Sequence, residues 1–138
     1  MKSQTILYVC VHNSGRSQMA EAMTNTLAKQ MNLPVRALSA GTVVGKSLNP
    51  IAVEVMREFG ISMESQSPKI VTQAMVDESD QIISMGCGVD AEACPTRFIL
   101  TEDWGLDDPA GQPIGRVREI RDQIRERVEL LLAELASR

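Results

Sequence analysis

A chain of 138 residues, 43% hydrophobic and 23% charged, is long enough to bury a core of its own and is expected to form a single domain over residues 1–138. Its formal net charge of -4 argues against broad nucleic-acid or membrane binding, so an anion site has to be local. No run reaches transmembrane length and the start lacks a signal peptide's apolar stretch, so a cytoplasmic, reducing setting is expected, where three cysteines act as reactive or simply buried thiols.

In chain order, Thr5–Val11 is β-rich and predicts a first strand. Met19, Met23, Leu27 and Met31 recur at helical spacing and predict a helix from Ser17 to Met31. Val35–Ala40 reads as a second strand. Asn49-Pro50, followed by Ala52, Val55, Met56 and Phe59, reads as a capped helix ending at Gly60. Pro68–Val76 gives a short helical pattern, Gln81–Met85 a third strand and Arg97–Leu100 a fourth. Val117, Ile120, Ile124, Val128, Leu131 and Leu135 mark a long amphipathic C-terminal helix whose opposite face of mixed charge reads as solvated. The eight methionines sit mostly at core spacings and read as packing. Strands alternating with helices favour a parallel α/β sheet, whose ligands sit beyond the carboxyl ends of the strands, where Cys10 and Cys87 both fall.

The stretch "CVHNSGRS" joins the first strand to the first helix. Backbone amides of Val11 to Gly15 at such a junction can curl around an anion. Arg16 adds a planar fork suited to a tetrahedral oxyanion, and the same positive surroundings lower a thiol at Cys10 from its free value of about 8.5. Ser17 can donate to the thiolate. Gly15 permits backbone angles or close approaches that a side chain would obstruct, and Asn13 tolerates left-handed geometry and can brace the loop. By spacing alone, a buried cysteine in a strand, turn and helix remains an alternative. "SMGCGVDAEACP" places Cys87 and Cys94 seven apart, unlike a zinc or thioredoxin C-x-x-C motif, and alone reads as two small loop residues. In "TEDWGLDDPAGQ", Asp108 precedes Pro109 and is either a general acid or a turn residue. Trp104, Asp103 and Asp107 read as structural, with Asp107 a substitute candidate for the acid. His12, the one histidine, reads as a solvent-facing loop residue without chemistry of its own. A thiolate in an anion cradle, an acid and two further thiols together make a complete two-electron reductant.

"CVHNSGRSQMAE", "SAG" at 39–41, "NP" at 49–50, the Cys87/Cys94 pair and "EDWGLDDPAG" resemble the thioredoxin-coupled arsenate reductases, built on the low-molecular-weight tyrosine phosphatase fold. The resemblance covers nearly the whole chain and implies a four-stranded parallel sheet flanked by helices. Phosphatases of this fold usually have proline where Gln18 stands and aromatic residues where Ala110 and Gly111 stand, and both differences favour the reductase.

The resemblance implies that arsenate binds against Val11, His12, Asn13, Ser14, Gly15, Arg16 and Ser17. Cys10 attacks arsenic while Asp108 protonates the departing oxygen, Cys87 then attacks Cys10, and Cys94 moves the disulfide to the 87/94 pair for reduction by thioredoxin. No cofactor or metal is expected, and the chain is expected to work as a monomer. Some members hold a monovalent cation under the loop with an asparagine, a glutamate, a serine and an aspartate. The first three match Asn13, Glu21 and Ser39, whereas Lys69 stands at or near the fourth, so its ammonium is expected to replace the cation and brace Asn13 and Glu21. An exposed lysine at a helix start is the alternative. Because seven helical residues span about 10.5 Å and a disulfide needs Cα atoms within about 7 Å, Val89–Cys94 is expected to be partly helical when reduced and to unwind on oxidation about Gly86 and Gly88. Two rival readings are a phosphatase, with no use for Cys87 and Cys94, and a non-catalytic redox sensor that binds an oxyanion and reacts once.

Overall fold

The computed structural model describes residues 2–43, 45–86 and 100–138. Among these residues four parallel strands lie in the order β2-β1-β3-β4: β1 is Gln4–Cys10, β2 Val35–Gly41, β3 Gln81–Ser84 and β4 Glu102–Asp103. The helices are α1 Arg16–Gln30, α2 Pro50–Arg57, α3 Gln73–Glu78 and α4 Ile114–Ala136. β1 is central, pairing with β2 from Gln4↔Val35 to Cys10↔Gly41 and with β3 from Ile6↔Gln81 to Val9↔Ser84.

The two-residue period of β1 sorts its side chains between two cores. Ile6, Tyr8 and Cys10 face the larger one, filled by Met19 and Met23 of α1, Val55 and Met56 of α2, and Ile120, Ile124, Val128 and Leu132 of α4. Leu7 and Val9 face the smaller one with Ala40, Val71 and Ile82. Tyr8 is fully buried, with its hydroxyl 2.7 Å from Thr24 Oγ1 and its ring against Trp104, and burial pushes its phenol well above the usual range, so it stays neutral. The α4 stripe read from the sequence is the buried one in every position. Met19, Met23, Met56, Met63 and Met85 are all core residues, while Met31 is exposed.

The α2 start follows its sequence signals: Asn49 Oδ1 accepts from Ile51 and Ala52 N–H, Pro50 stands in the first turn, and Gly60 takes φ +73° just past the end. Two expectations need correction. The helix placed over Pro68–Val76 is α3, Gln73–Glu78, capped by Thr72. Upstream of it the chain runs extended, because Gly41 N–H donates to Lys69 O and Val71 N–H to Gly41 O, with Ile70 bridged to Gly41. The fourth strand is Glu102–Asp103 and excludes Leu100, since its pairing is with Ile83 and Ser84; Arg97–Ile99 lie outside the described residues. Cys87, Gly88, the expected helix Val89–Cys94 and Cys94 itself also lie outside them. Among the described residues no helix is long and apolar enough to cross a membrane.

Candidate active site

At the carboxyl end of β1 the chain turns through residues 11–15 into α1, and the turn forms one wall of a cavity lined by Cys10, His12, Ser14, Arg16, Leu106 and Asp108, among others. Cys10 is buried, its Sγ 2.8 Å from Ser17 Oγ and accepting the Asn13 N–H at 3.2 Å. Asn13 sits at φ 55°, the left-handed geometry that asparagine tolerates, and its Nδ2 donates to Ser17 Oγ at 2.8 Å. Helix α1 has no side-chain cap at Gly15, which leaves its first amides facing the loop.

Gly15, at φ -132° and ψ -90°, meets the Asp108-Pro109 turn at close range. A Cβ there would stand 2.9 Å from Pro109 Cγ, so the anion loop and the Asp108-Pro109 turn are in direct contact. The start of α2 is tied to the same loop by Asn49 N–H donating to Ser14 O.

Arg16 is 8% exposed. Its Nη1 donates to Met85 O at 3.1 Å and Leu106 O at 2.6 Å, which plants the guanidinium between β3 and the Asp108 turn. Nη2 comes to 4.0 Å from Asp108 Oδ2, and Nε is buried with no acceptor among the described residues. A buried charged donor without an acceptor is costly in a folded protein, and an oxyanion in the cavity would supply one. Asp108 is mostly exposed and also accepts the Ala110 N–H at 2.9 Å, so it is both a turn residue and a cavity residue. Asp107 also lines the cavity but is ion-paired with Arg116, which favours Asp108 over it as the acid. His12 is exposed at the cavity, with no polar partner among the described residues that would give it a role.

Beneath the loop, Ser39 Oγ donates to Glu21 Oε1 at 3.0 Å, and Lys69 Nζ lies 3.7 Å from the same oxygen. Asn13 Oδ1 receives the Lys69 backbone N–H at 3.0 Å, while the ammonium's other neighbour is Ser67 O at 3.4 Å. Lys69 therefore reaches Glu21 through its charge and Asn13 through its backbone. Asp103, read as structural from the sequence, secures the end of β3, where its Oδ1 accepts from Ser84 Oγ at 2.7 Å and from Gly86 N–H at 2.6 Å. The Ser84 hydrogen bond, with the Gly86 and Gly105 amides, holds its carboxyl below the usual carboxylate range. Gly86 itself has φ +83° and abuts the backbone of Gly105 and Leu106, so no side chain fits.

The family model for low molecular weight phosphotyrosine protein phosphatases matches residues 5–138. A Synechocystis sp. protein named glutaredoxin arsenate reductase is 35% identical, the match covering 95% of this chain and 98% of that one. A solved arsenate reductase in its phosphate-binding state superposes with a TM-score of 0.79 at 36% identity, over 95% of this chain and 98% of the other. The thioredoxin-dependent arsenate reductase of Corynebacterium glutamicum gives 0.76 at 30% identity, over 97% of this chain and 62% of its own.

Proposed function

The chain belongs to the low molecular weight phosphotyrosine protein phosphatase family, and from that premise we propose that it is an arsenate reductase, converting arsenate to arsenite as a cytoplasmic monomer. The observation that carries this reading is a cavity lined by Cys10 and by Arg16, whose buried Nε has no acceptor among the described residues, and by no described Phe, Tyr or Trp. A bare tetrahedral oxyanion suits that cavity, since Ala110 after the Asp108-Pro109 turn offers no wall for an aryl ring.

Arg16 and the loop amides bind the oxyanion, and the Cys10 thiolate attacks arsenic. Asp108 gives its proton to the departing oxygen, which leaves as water. Cys87 then attacks the Cys10 sulfur: an S–S bond forms, the As–S bond breaks, and its electron pair stays on arsenic as arsenite. Cys94 in turn attacks Cys87, releasing the Cys10 thiolate, and a dithiol donor reduces the resulting pair. Thioredoxin is the donor we assign; one relative is named for glutaredoxin and another for thioredoxin, so the two are tested side by side. Oxidation of NADPH that depends on arsenate should proceed with thioredoxin and its reductase and fail with glutathione and glutaredoxin. Turnover with glutaredoxin alone would reassign the donor, and no turnover with either would overturn the enzyme. The shared cavity chemistry also supports weak hydrolysis of aryl phosphates.

A further inference from the structure

Gln18 is fully buried in the first turn of α1. Its Nε2 lies 2.8 Å from Asn13 Oδ1, 3.0 Å from Asn13 O and 2.9 Å from Ser67 O. Two of these partners are backbone carbonyls, which can only accept, so the amide nitrogen must face them and Gln18 Oε1 must face the other way. There it receives Gln66 Nε2 at 2.6 Å, a group that also donates to Gln18 O at 3.1 Å.

The orientation of Asn13 follows from the same logic. Its Oδ1 faces two donors, Gln18 Nε2 and the Lys69 backbone N–H, so Nδ2 must face Ser17. Ser17 Oγ then accepts from Asn13, and its own proton is left for Cys10 Sγ at 2.8 Å. One continuous run of donors, from Gln66 to Gln18 Oε1, Gln18 to Asn13 Oδ1, Asn13 to Ser17 Oγ and Ser17 to Cys10 Sγ, leads toward the sulfur.

We propose that Gln18 is a positioning residue: anchored by Ser67 O and Gln66, it reinforces, beside the Lys69 N–H, the orientation in which Asn13 Nδ2 occupies Ser17 Oγ and the Ser17 proton is offered to Cys10. A Cys10 sulfur that accepts from the Ser17 hydroxyl and the Asn13 N–H is stabilised as thiolate, the form that attacks. This rests on the reading of Cys10 as the nucleophile, and it is tested without arsenate so that the two can fail separately.

The experiment follows alkylation of Cys10 by iodoacetamide against pH in oxyanion-free buffer, read on the Cys10 peptide by mass, with circular dichroism as the check on folding. Gln18→Met keeps the volume and removes the donor. Its titration midpoint should rise by about one unit, the size expected when a hydrogen bond to a charged group is lost. A folded Gln18→Met with the wild-type midpoint would overturn the proposal. If that variant does not fold, Gln66→Met at the half-buried end decides, because it removes the donor that anchors Gln18 Oε1. The expected result is a smaller upward shift. An unmoved midpoint overturns the proposal.

Discussion

Two arginines are withdrawn from solvent to nearly the same degree, Arg16 at 8% and Arg121 at 7% exposure, and they are in opposite states. Arg121, on the α2–α4 seam, is complete: Nη1 donates to Val55 O and to Glu58 Oε1 at 2.6 Å, Nε to Asp122, and the guanidinium lies 3.9 Å over the Phe59 ring. Hydrogen bonds from Arg118 and Arg121 hold the Glu58 carboxyl below the usual range, so this seam is neutralised within itself. Arg16 has two backbone carbonyls, a carboxylate at 4.0 Å and a buried Nε with no acceptor among the described residues. Burial of a cation therefore does not mark function. A donor left without its acceptor at a cavity does.

The largest effect should separate the two. Arg16→Lys removes the fork and should cut arsenate reduction about a thousandfold, in the range for loss of an oxyanion donor, with little change in thermal unfolding. The counterpart Arg121→Met should keep activity within about twofold while lowering Tm by roughly 6 °C, discounted for the half-exposed Glu58. Loss of activity in Arg121→Met at full stability, or collapse of Tm in Arg16→Lys, would remove the distinction.

Asp108→Asn sharpens the same contrast inside the cavity. Adduct formation, followed by rapid quench, should slow about a hundredfold while arsenate affinity measured by calorimetry is broadly kept, because an acid matters as oxygen leaves. An unchanged rate would make Asp108 a turn residue and direct attention to Asp107. Under the loop, the effect should vanish. With Lys69 Nζ already 3.7 Å from Glu21, replacing potassium by a large inert cation at constant ionic strength should leave arsenate reduction unchanged, and a strong potassium requirement in the coupled assay would remove Lys69 from that role.

What could be read from the sequence divides along the same line. Local signals carried β1, α1, β2, α2 and the apolar stripe of α4, because period, caps and glycine stops are properties of neighbouring residues. The turn from β1 into α1 was legible for the same reason, since Cys10 to Ser17 is one continuous segment. Misplacements arose where distant backbone decided: Gly41 draws residues 69–71 into extended pairing, and β3 pairs with Glu102–Asp103, two charged residues of low strand propensity. No local signal singles out Arg121 among the charges of α4, although it directly follows the core residue Ile120, because its partners Val55, Glu58 and Phe59 lie in α2 and just past its end. Gln18 could be seen as a departure from the phosphatase pattern, but its meaning depends on Gln66 and Ser67, which lie 48 and 49 residues later.

The most direct measurement is a single addition of arsenate to reduced Cys94→Ser, with arsenite quantified and disulfides mapped by mass. The expected result is release of a single arsenite per chain and arrest as a Cys10–Cys87 disulfide, since nothing remains to carry the oxidation outward. Continued thioredoxin-driven turnover at the wild-type rate would contradict the relay, and intact thiols with no arsenite would contradict the reductase itself.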